Sequence, residues 1–191
     1  MTCFLVLHGL GGSTSGHWQE WLTEELKKRG ARVWFPQLPQ WEHPVRGAWL
    51  DCLEETMNEI PRDEPLVVVT HSLGCILWLH YASRHDARKV DRLIMVCPPS
   101  EHLDKPEIQN FFPLPKDKTV LQKVAKKSLL ILSTNDHFLP QDKMKQYFDF
   151  HVPCLVFPEQ GHINIQSGYG PWPWMLRFCL ENDVYWPCVS V

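Results

Sequence analysis

Short apolar runs alternate with longer amphipathic stretches along the whole chain, the pattern of βα units laid around a parallel sheet. The runs predict six strands, over residues 3–7, 32–35, 66–70, 92–97, 129–133 and 154–157. Between the first two, Trp18, Leu22 and Leu26 recur at helical spacing ahead of Lys27-Lys28-Arg29-Gly30, a cationic last turn closed by glycine. Between the second and third, Val45, Trp49, Cys52, Leu53, Thr56, Met57 and Ile60 form another helical stripe that Pro61 ends. Further helices are predicted over 73–82, directly behind the third strand, over 141–150 behind Pro140, and over 173–180, where Pro173 is tolerated in the first turn. Residues 98–127 break this economy. Pro98-Pro99, Pro106, Pro113, Pro115, the pair Phe111-Phe112 and a basic tail predict an irregular excursion at the C-terminal edge of the sheet, with room for a short helix.

Composition narrows the class. With 191 residues, 44% hydrophobic and 21% charged, the chain is expected to form one soluble α/β domain over residues 1–191, with no internal repeat or linker. That length buries a core without help from a metal or disulfide. Nineteen basic against 22 acidic residues, with no long run of either sign, make nucleic acid and membrane surfaces unexpected partners. No apolar run approaches the roughly 18 residues of a membrane span. The opening Met-Thr-Cys-Phe-Leu-Val-Leu lacks a basic n-region and reads as the first core strand, so no export signal is expected. Seven cysteines, an odd number without a C-x-x-C pair, read as reduced core thiols of a cytoplasmic protein. The ten histidines contain no H-E-x-x-H, and neither metal nor cofactor is expected.

The chemistry concentrates at Val67-Val68-Val69-Thr70-His71-Ser72-Leu73-Gly74, an apolar strand ending at a serine that opens a helix. That is the pattern of a nucleophile elbow, in which a sharp turn lifts the hydroxyl out of the sheet at the positive end of a helix. The pattern is G-x-S-x-G, and Thr70 stands in place of the first glycine. Taken alone, Ser72 could also be an ordinary N-cap on a buried helix. Order and place favour the nucleophile. A serine needs a base and the base an orienting carboxylate, which follow in the order Ser, acid, His in α/β-hydrolases. Asp136 lies just past the fifth predicted strand and His162, behind Gly161, just past the sixth. Open α/β sheets build their sites at such strand ends.

His71 precedes the nucleophile and is expected to point away from it; His8, His80, His85, His137 and His151 read as structural or solvent-facing. The glycines of His8-Gly9-Leu10-Gly11-Gly12-Ser13 let a backbone N–H approach Ser72, so the amides of Leu10 and Leu73 are the candidate oxyanion hole. A phosphate-binding reading of these glycines lacks both the Walker lysine and a third dinucleotide-type glycine. Trp18 and Trp172 are candidate substrate walls or, alternatively, lid-like packing.

These residues resemble the small α/β-hydrolase-fold serine hydrolases related to retinoblastoma-binding protein nine. The likeness runs through His8-Gly9, His17-Trp18, Trp21-Leu22, His71-Ser72-Leu73-Gly74, Asn135-Asp136, Pro140, Gly161-His162-Ile163-Asn164 and Ser167-Gly168-Tyr169-Gly170-Pro171-Trp172-Pro173. It implies a triad of Ser72, Asp136 and His162, a capless three-layer α/β/α fold with strand order 2-1-3-4-5-6, and an ester or related acyl substrate. Leu50-Asp51-Cys52-Leu53-Glu54 also spells the L-x-C-x-E sequence after which the named relative is known, but here it falls in an amphipathic helix rather than an extended peptide. The leading expectation is a serine hydrolase working through an acyl-enzyme, with peptidase and thioesterase chemistry open. The alternative is a binding module that keeps the fold without catalysis. Acyl group, leaving group and oligomeric state are left open. With only residues 98–127 where a cap could be, the pocket is expected to be shallow and walled by Trp-bearing loops.

Overall fold

The computed structural model describes residues 1–181. Strands β1 (Cys3–Leu7), β2 (Arg32–Trp34), β3 (Leu66–His71), β4 (Val90–Val96), β5 (Ala125–Ser133) and β6 (Cys154–Phe157) form one sheet in the order β2-β1-β3-β4-β5-β6. Every neighbouring pair is parallel, with Leu5 opposite both Trp34 and Val68, and Val68 opposite Leu93. Helices α1 (Trp18–Lys28), α2 (Arg46–Glu59), α3 (Leu73–Ala82), α4 (Val120–Val124), α5 (Lys145–Phe148) and α6 (Pro173–Leu180) cover the two faces.

The period-two alternation of the strands sorts the core into two layers. Leu66 and Val68, Leu93 and Met95, and Leu130 and Leu132 point toward α2, α3, α4 and α5. Val67 and Val69, Ile94 and Val96, and Leu129 and Ile131 point toward α1 and α6, where Trp18, Leu22, Met175 and Phe178 receive them. Helix α3 is apolar around most of its circumference and buried along most of its length, as a helix packed on several sides must be. On the other face Arg92, at 6% exposure, extends from β4 beneath the end of α6. Its guanidinium donates to the carbonyls of Phe178, Cys179 and Glu181, supplying cationic partners where helix carbonyls otherwise lack them.

Element bounds depart from the predicted ones in several places, β3 running on to His71 and β4 spanning Val90–Val96, while the short helix expected in the excursion is present. Strand β5 begins at Ala125 because Ala125 and Lys127 pair with Val90 and Arg92, so the backbone ladder continues past the apolar run. Strand β2 stops one residue early, at Trp34. The helix predicted over 141–150 divides into a 3₁₀ turn, Gln141–Lys143, and the short α5. The 3₁₀ turn buries none of its residues, and the segment is anchored by Met144, Tyr147 and Phe150, which follow it. The excursion after β4 contains a 3₁₀ helix, Pro106–Phe111, whose Ile108 and Phe111 are buried in the core; His80 Nε2 donates to the Phe111 carbonyl at 2.6 Å. Leu50 to Glu54 lie inside α2.

Among the described residues Cys3, Cys75, Cys97 and Cys179 are buried free thiols and Cys52 and Cys154 are half-buried ones; Cys188 lies outside the described residues. No helix among them is long and apolar enough to cross a membrane.

Candidate active site

The strand order reverses direction between β1 and β3. The chain leaves β1 to one side to make β2, then returns to place β3 on the other side. Loops leaving the C-terminal ends of two such strands diverge and open a crevice. Here those ends carry Gly9-Leu10 and Ser72.

Ser72 takes φ 53° and ψ −126°, a left-handed conformation that a residue with a Cβ adopts only under constraint. The constraint is visible: its N–H donates to the Val96 carbonyl at 2.9 Å, and α3 starts at the next residue. The hydroxyl does not cap the helix. It donates instead to His162 Nε2 at 2.9 Å, which distinguishes Ser72 from an ordinary N-cap. Close approach explains two glycines. A Cβ on Gly74 would lie 2.6 Å from the His8 carbonyl oxygen and 2.7 Å from that of Leu7; one on Gly9 would lie 2.6 Å from Ser72 Cβ. Thr70 fits at the other elbow position because its buried hydroxyl lies 3.1 Å from Cys75 Sγ and 3.4 Å from the Ile94 carbonyl.

His162 Nδ1 lies 2.8 Å from Asp136 Oδ2 and 3.0 Å from Oδ1, and both residues are under 5% exposed. An acceptor-only carboxylate there assigns the proton to Nδ1 and leaves Nε2 free to accept from Ser72. Asp136 Oδ1 also accepts the Phe138 N–H at 2.9 Å. The two loops are sewn together: Asn135 Oδ1 accepts the Gly161 N–H at 2.6 Å, and Ser133 Oγ accepts that of Gln160 at 2.9 Å. Two anchors then fix the backbone around His162. His71 Nε2 donates to the His162 carbonyl at 3.0 Å and the Trp18 indole to that of Ile163 at 2.8 Å.

That geometry corrects the placing of His71, which does not turn away from the site. It shares the sheet face of Val67 and Val69, the face that also carries the His162 loop, and its ring centroid is 5.0 Å from that of His162. Burial holds it well below the usual histidine range, with His162 and His17 adding in the same direction.

The loop after β1 is scaffolded from below. Gln19 Nε2 donates to the Leu7 carbonyl at 2.9 Å, and Leu38 N–H donates to His8 Nε2 at 3.0 Å. That leaves the proton on His8 Nδ1, which donates to the Gly9 carbonyl at 2.8 Å. A Cβ on Gly9 would come within 3.2 Å of the Leu73 nitrogen, so the loop passes directly beside the first amide of α3. Leu10 and Leu73 both line the cleft above.

The cleft encloses about 280 Å³. Leu10, Pro99, Ile108, Phe138 and Ile165 form its apolar wall, and Lys105 is the charged side chain among the described residues lining it. Trp18 and Trp172 are not on that wall. Trp18 is fully buried and Trp172 is 8% exposed, with centroids 5.1 Å apart, because their apolar rings are used between the sheet and the His162 loop. Sequence reasoning missed Phe138, whose ring lies 4.4 Å from that of His162, as well as Pro99 and Ile108. Pro99 and Phe138 each sit just beyond a strand's C-terminal end, a signal that could have marked them.

Among the described residues one group could offer ligand atoms to a metal: Cys97, Asp136 and His162 come within 4.8 Å of one another. The donor set fits a metal poorly. His162 Nδ1 is directed at Asp136, and burial pushes the Cys97 thiol well above its ordinary value, so it remains protonated.

A family model described as serine hydrolase matches residues 4–180. The chain belongs to the serine hydrolase family. This serine hydrolase is 24% identical, over 95% of its length, to "Probable lysophospholipase BODYGUARD 4" of Arabidopsis thaliana, but spans only 40% of that protein. It is 27% identical to YdeN of Bacillus subtilis over 71% of each chain. The crystal structure of the ydeN gene product superposes with a TM-score of 0.80 at 21% identity, covering 94% of this chain and 97% of that one. Est1E of Butyrivibrio proteoclasticus, solved with ferulic acid bound, superposes at 0.65 and 13% identity, covering 94% and 88%. The shared architecture is the α/β-hydrolase fold.

Proposed function

We propose that this serine hydrolase cleaves a small carboxylic ester or related acyl substrate through Ser72, His162 and Asp136. The relay from Ser72 Oγ to His162 Nε2 at 2.9 Å, and from His162 Nδ1 to Asp136 Oδ2 at 2.8 Å, carries the reading. In this mechanism His162 takes the hydroxyl proton as Ser72 attacks the acyl carbonyl, and Asp136 stabilises the imidazolium. The Leu10 and Leu73 amides receive the oxyanion. His162 then returns the proton to the leaving alcohol, and water, activated by the same imidazole, releases the acid from the acyl-enzyme. The cleft, at about 280 Å³, lies just below the roughly 300–1,000 Å³ of small-molecule sites and favours a short acyl group. Lys105 on its wall, with no carboxylate side chain among the described residues lining the space, favours neutral or anionic esters over cationic ones.

Within the family we place the chain beside the relatives of retinoblastoma-binding protein nine, a reading supported by its His162 block and capless sheet. We likewise read it as a single cytoplasmic domain, supported by its six described free thiols.

A fluorophosphonate probe tests the reading. The folded protein is expected to label at Ser72, and Ser72→Ala to lose labelling together with on the order of 10³-fold or more in ester turnover. A folded protein that does not label is a binding module instead.

A further inference from the structure

His17 stands in the cleft without a part in the relay proposed above. It is the residue before α1, with φ −74° and ψ 144°, and its Nδ1 accepts the Gln19 N–H at 3.2 Å. A ring nitrogen that accepts carries no proton, so in the neutral imidazole the hydrogen belongs to Nε2. The ring is 5% exposed. Its centroid lies 5.6 Å from that of Trp18 and 5.2 Å from that of His71, so it has little freedom to turn. It nonetheless lines the cleft together with Leu10, Ser72 and His162. With Nδ1 committed to the first turn of α1, Nε2–H is the ring's remaining polar capacity. Burial, reinforced by His162 and His8, lowers the ring's pKa to about 4, so it stays neutral where ester hydrolysis is measured.

We propose that His17 Nε2–H is a specificity-determining donor that binds an oxygen of the substrate other than the reacting carbonyl, so that the cleft prefers oxygenated esters to hydrocarbon ones. The proposal rests on the serine-hydrolase reading and extends it to a substrate class. A donor set in a largely apolar wall discriminates in both directions. A hydrocarbon chain that covers it strips its water and leaves it unpaired, whereas an ether, hydroxyl or carbonyl oxygen replaces that water. The donor neither gives nor takes a proton in the reaction, so it acts on selection and not on the relay.

The capping role and the donor role separate by substitution. Asparagine is a strong N-cap whose Oδ1 takes the place of Nδ1, so His17→Asn keeps the cap and removes the donor. His17→Ser does the same with a smaller side chain. His17→Gln places an amide N–H near the Nε2 position but caps poorly. Two matched pairs distinguish the sides of the ester: p-nitrophenyl methoxypropionate against p-nitrophenyl valerate for the acyl side, and methoxyethyl butyrate against butyl butyrate for the alcohol side. Within a pair, comparing variants cancels intrinsic reactivity.

In His17→Asn and His17→Ser the preference for the oxygenated ester is expected to fall by roughly three- to tenfold in one pair, and in His17→Gln to recover. Urea midpoints are expected to move the opposite way, with His17→Gln the less stable. The pH profile of kcat/KM keeps its shape in all three. Preferences unchanged in both pairs for the two cap-keeping variants, with Ser72 still labelled by fluorophosphonate, overturn the proposal and leave the hydrolase reading intact. A shifted pH profile overturns it too, by making His17 a proton carrier. A wild-type protein that fails to label overturns both.

Discussion

Gly9→Ala tests whether the first loop is built around the nucleophile. The added Cβ would sit 2.6 Å from Ser72 Cβ and 3.1 Å from its Oγ, against an ordinary contact distance of 3.4 Å or more. Neither partner can yield cheaply. Ser72 is held through its N–H to Val96 and by the start of α3, and the Gly9 carbonyl is held by His8 Nδ1. Relieving the contact therefore separates the loop from the elbow by about 0.8 Å, the difference between 2.6 and 3.4 Å. Overpacking of this kind costs about 1–3 kcal/mol of stability. A displacement near 1 Å at reacting groups costs about 10²-fold in rate. We expect kcat/KM for a p-nitrophenyl ester to fall by about that factor and fluorophosphonate labelling to slow in parallel, beyond what the shift in urea midpoint explains.

Gly30→Ala supplies the control. Its φ is +80° with nothing within 4 Å of the added Cβ, so it is expected to lose about 1 kcal/mol of stability with no change in turnover. A Gly9→Ala protein that turns over like the wild type would refute the idea that this loop must lie against Ser72.

Further outcomes follow from the same contacts. Asp136→Asn removes the acceptor that holds the His162 tautomer and is expected to lower kcat by about 10⁴-fold with little change in KM; a loss below tenfold would take Asp136 out of the relay. Trp18→Phe keeps most of the buried ring but orphans the Ile163 carbonyl, which should cost about 1–3 kcal/mol by urea unfolding and lower kcat more than KM. Unchanged stability would mean the indole bond does not anchor the His162 loop. Acid sensitivity has a definite sign. His17, at about 4 folded against an ordinary 6.5, binds its proton in the unfolded chain first, so stability falls as pH drops from 6.5 toward 4 and is level above that window. Burial displaces His8 and His71 in the same direction, and His17→Asn should reduce the slope by up to about 1.4 kcal/mol per pH unit. An unchanged slope would mean His17 titrates normally when folded.

The centre of the sheet was legible because β1, β3, β4 and the second half of β5 bury both faces and so appear as continuous apolar runs, and α1, α2, α3 and α6 because each buries a stripe or the whole of its surface. Gln141 to Phe150 was read as one helix because Met144, Tyr147 and Phe150 sit at near-helical spacing, but the first three residues bury no side chain and form a separate 3₁₀ turn. Among candidate site residues, Ser72, Asp136 and His162 stood out because a strand end and a turn residue announced each of them. The tryptophans misled, since side-chain size says nothing about direction. Trp18 directly follows His17, yet its ring fills the core while the imidazole lines the cleft. His71 was misplaced because alternation along β3 was not carried through to the face on which the His162 loop lands. The anchors Asn135, Ser133 and Gln19 act through backbone contacts to distant loops, which no local pattern records.

With the tryptophans buried, the cleft's shape rests on the excursion after β4, whose two ends differ in rigidity from the opposite rim. Ser100 N–H donates to the Phe138 carbonyl at 2.8 Å, Glu101 N–H to Gln146 at 2.9 Å, and the Tyr147 hydroxyl to the Pro99 carbonyl. Those bonds lock Pro99 to the Asp136 loop, and Ile108, at 2% exposure, is packed into the core behind it. Across the cleft Ile165 is 47% exposed on a single 3₁₀ turn. The packed wall can reject a chain that is one methylene too long, whereas the open rim lets the chain pass into solvent. Ile108→Ala is therefore expected to lengthen the preferred acyl chain in a p-nitrophenyl ester series, with discrimination per methylene of about 1–3 kcal/mol reduced accordingly. Ile165→Ala should leave the optimum where it was. Equal shifts from both would place the selecting wall elsewhere, because only a surface that cannot move aside can measure length.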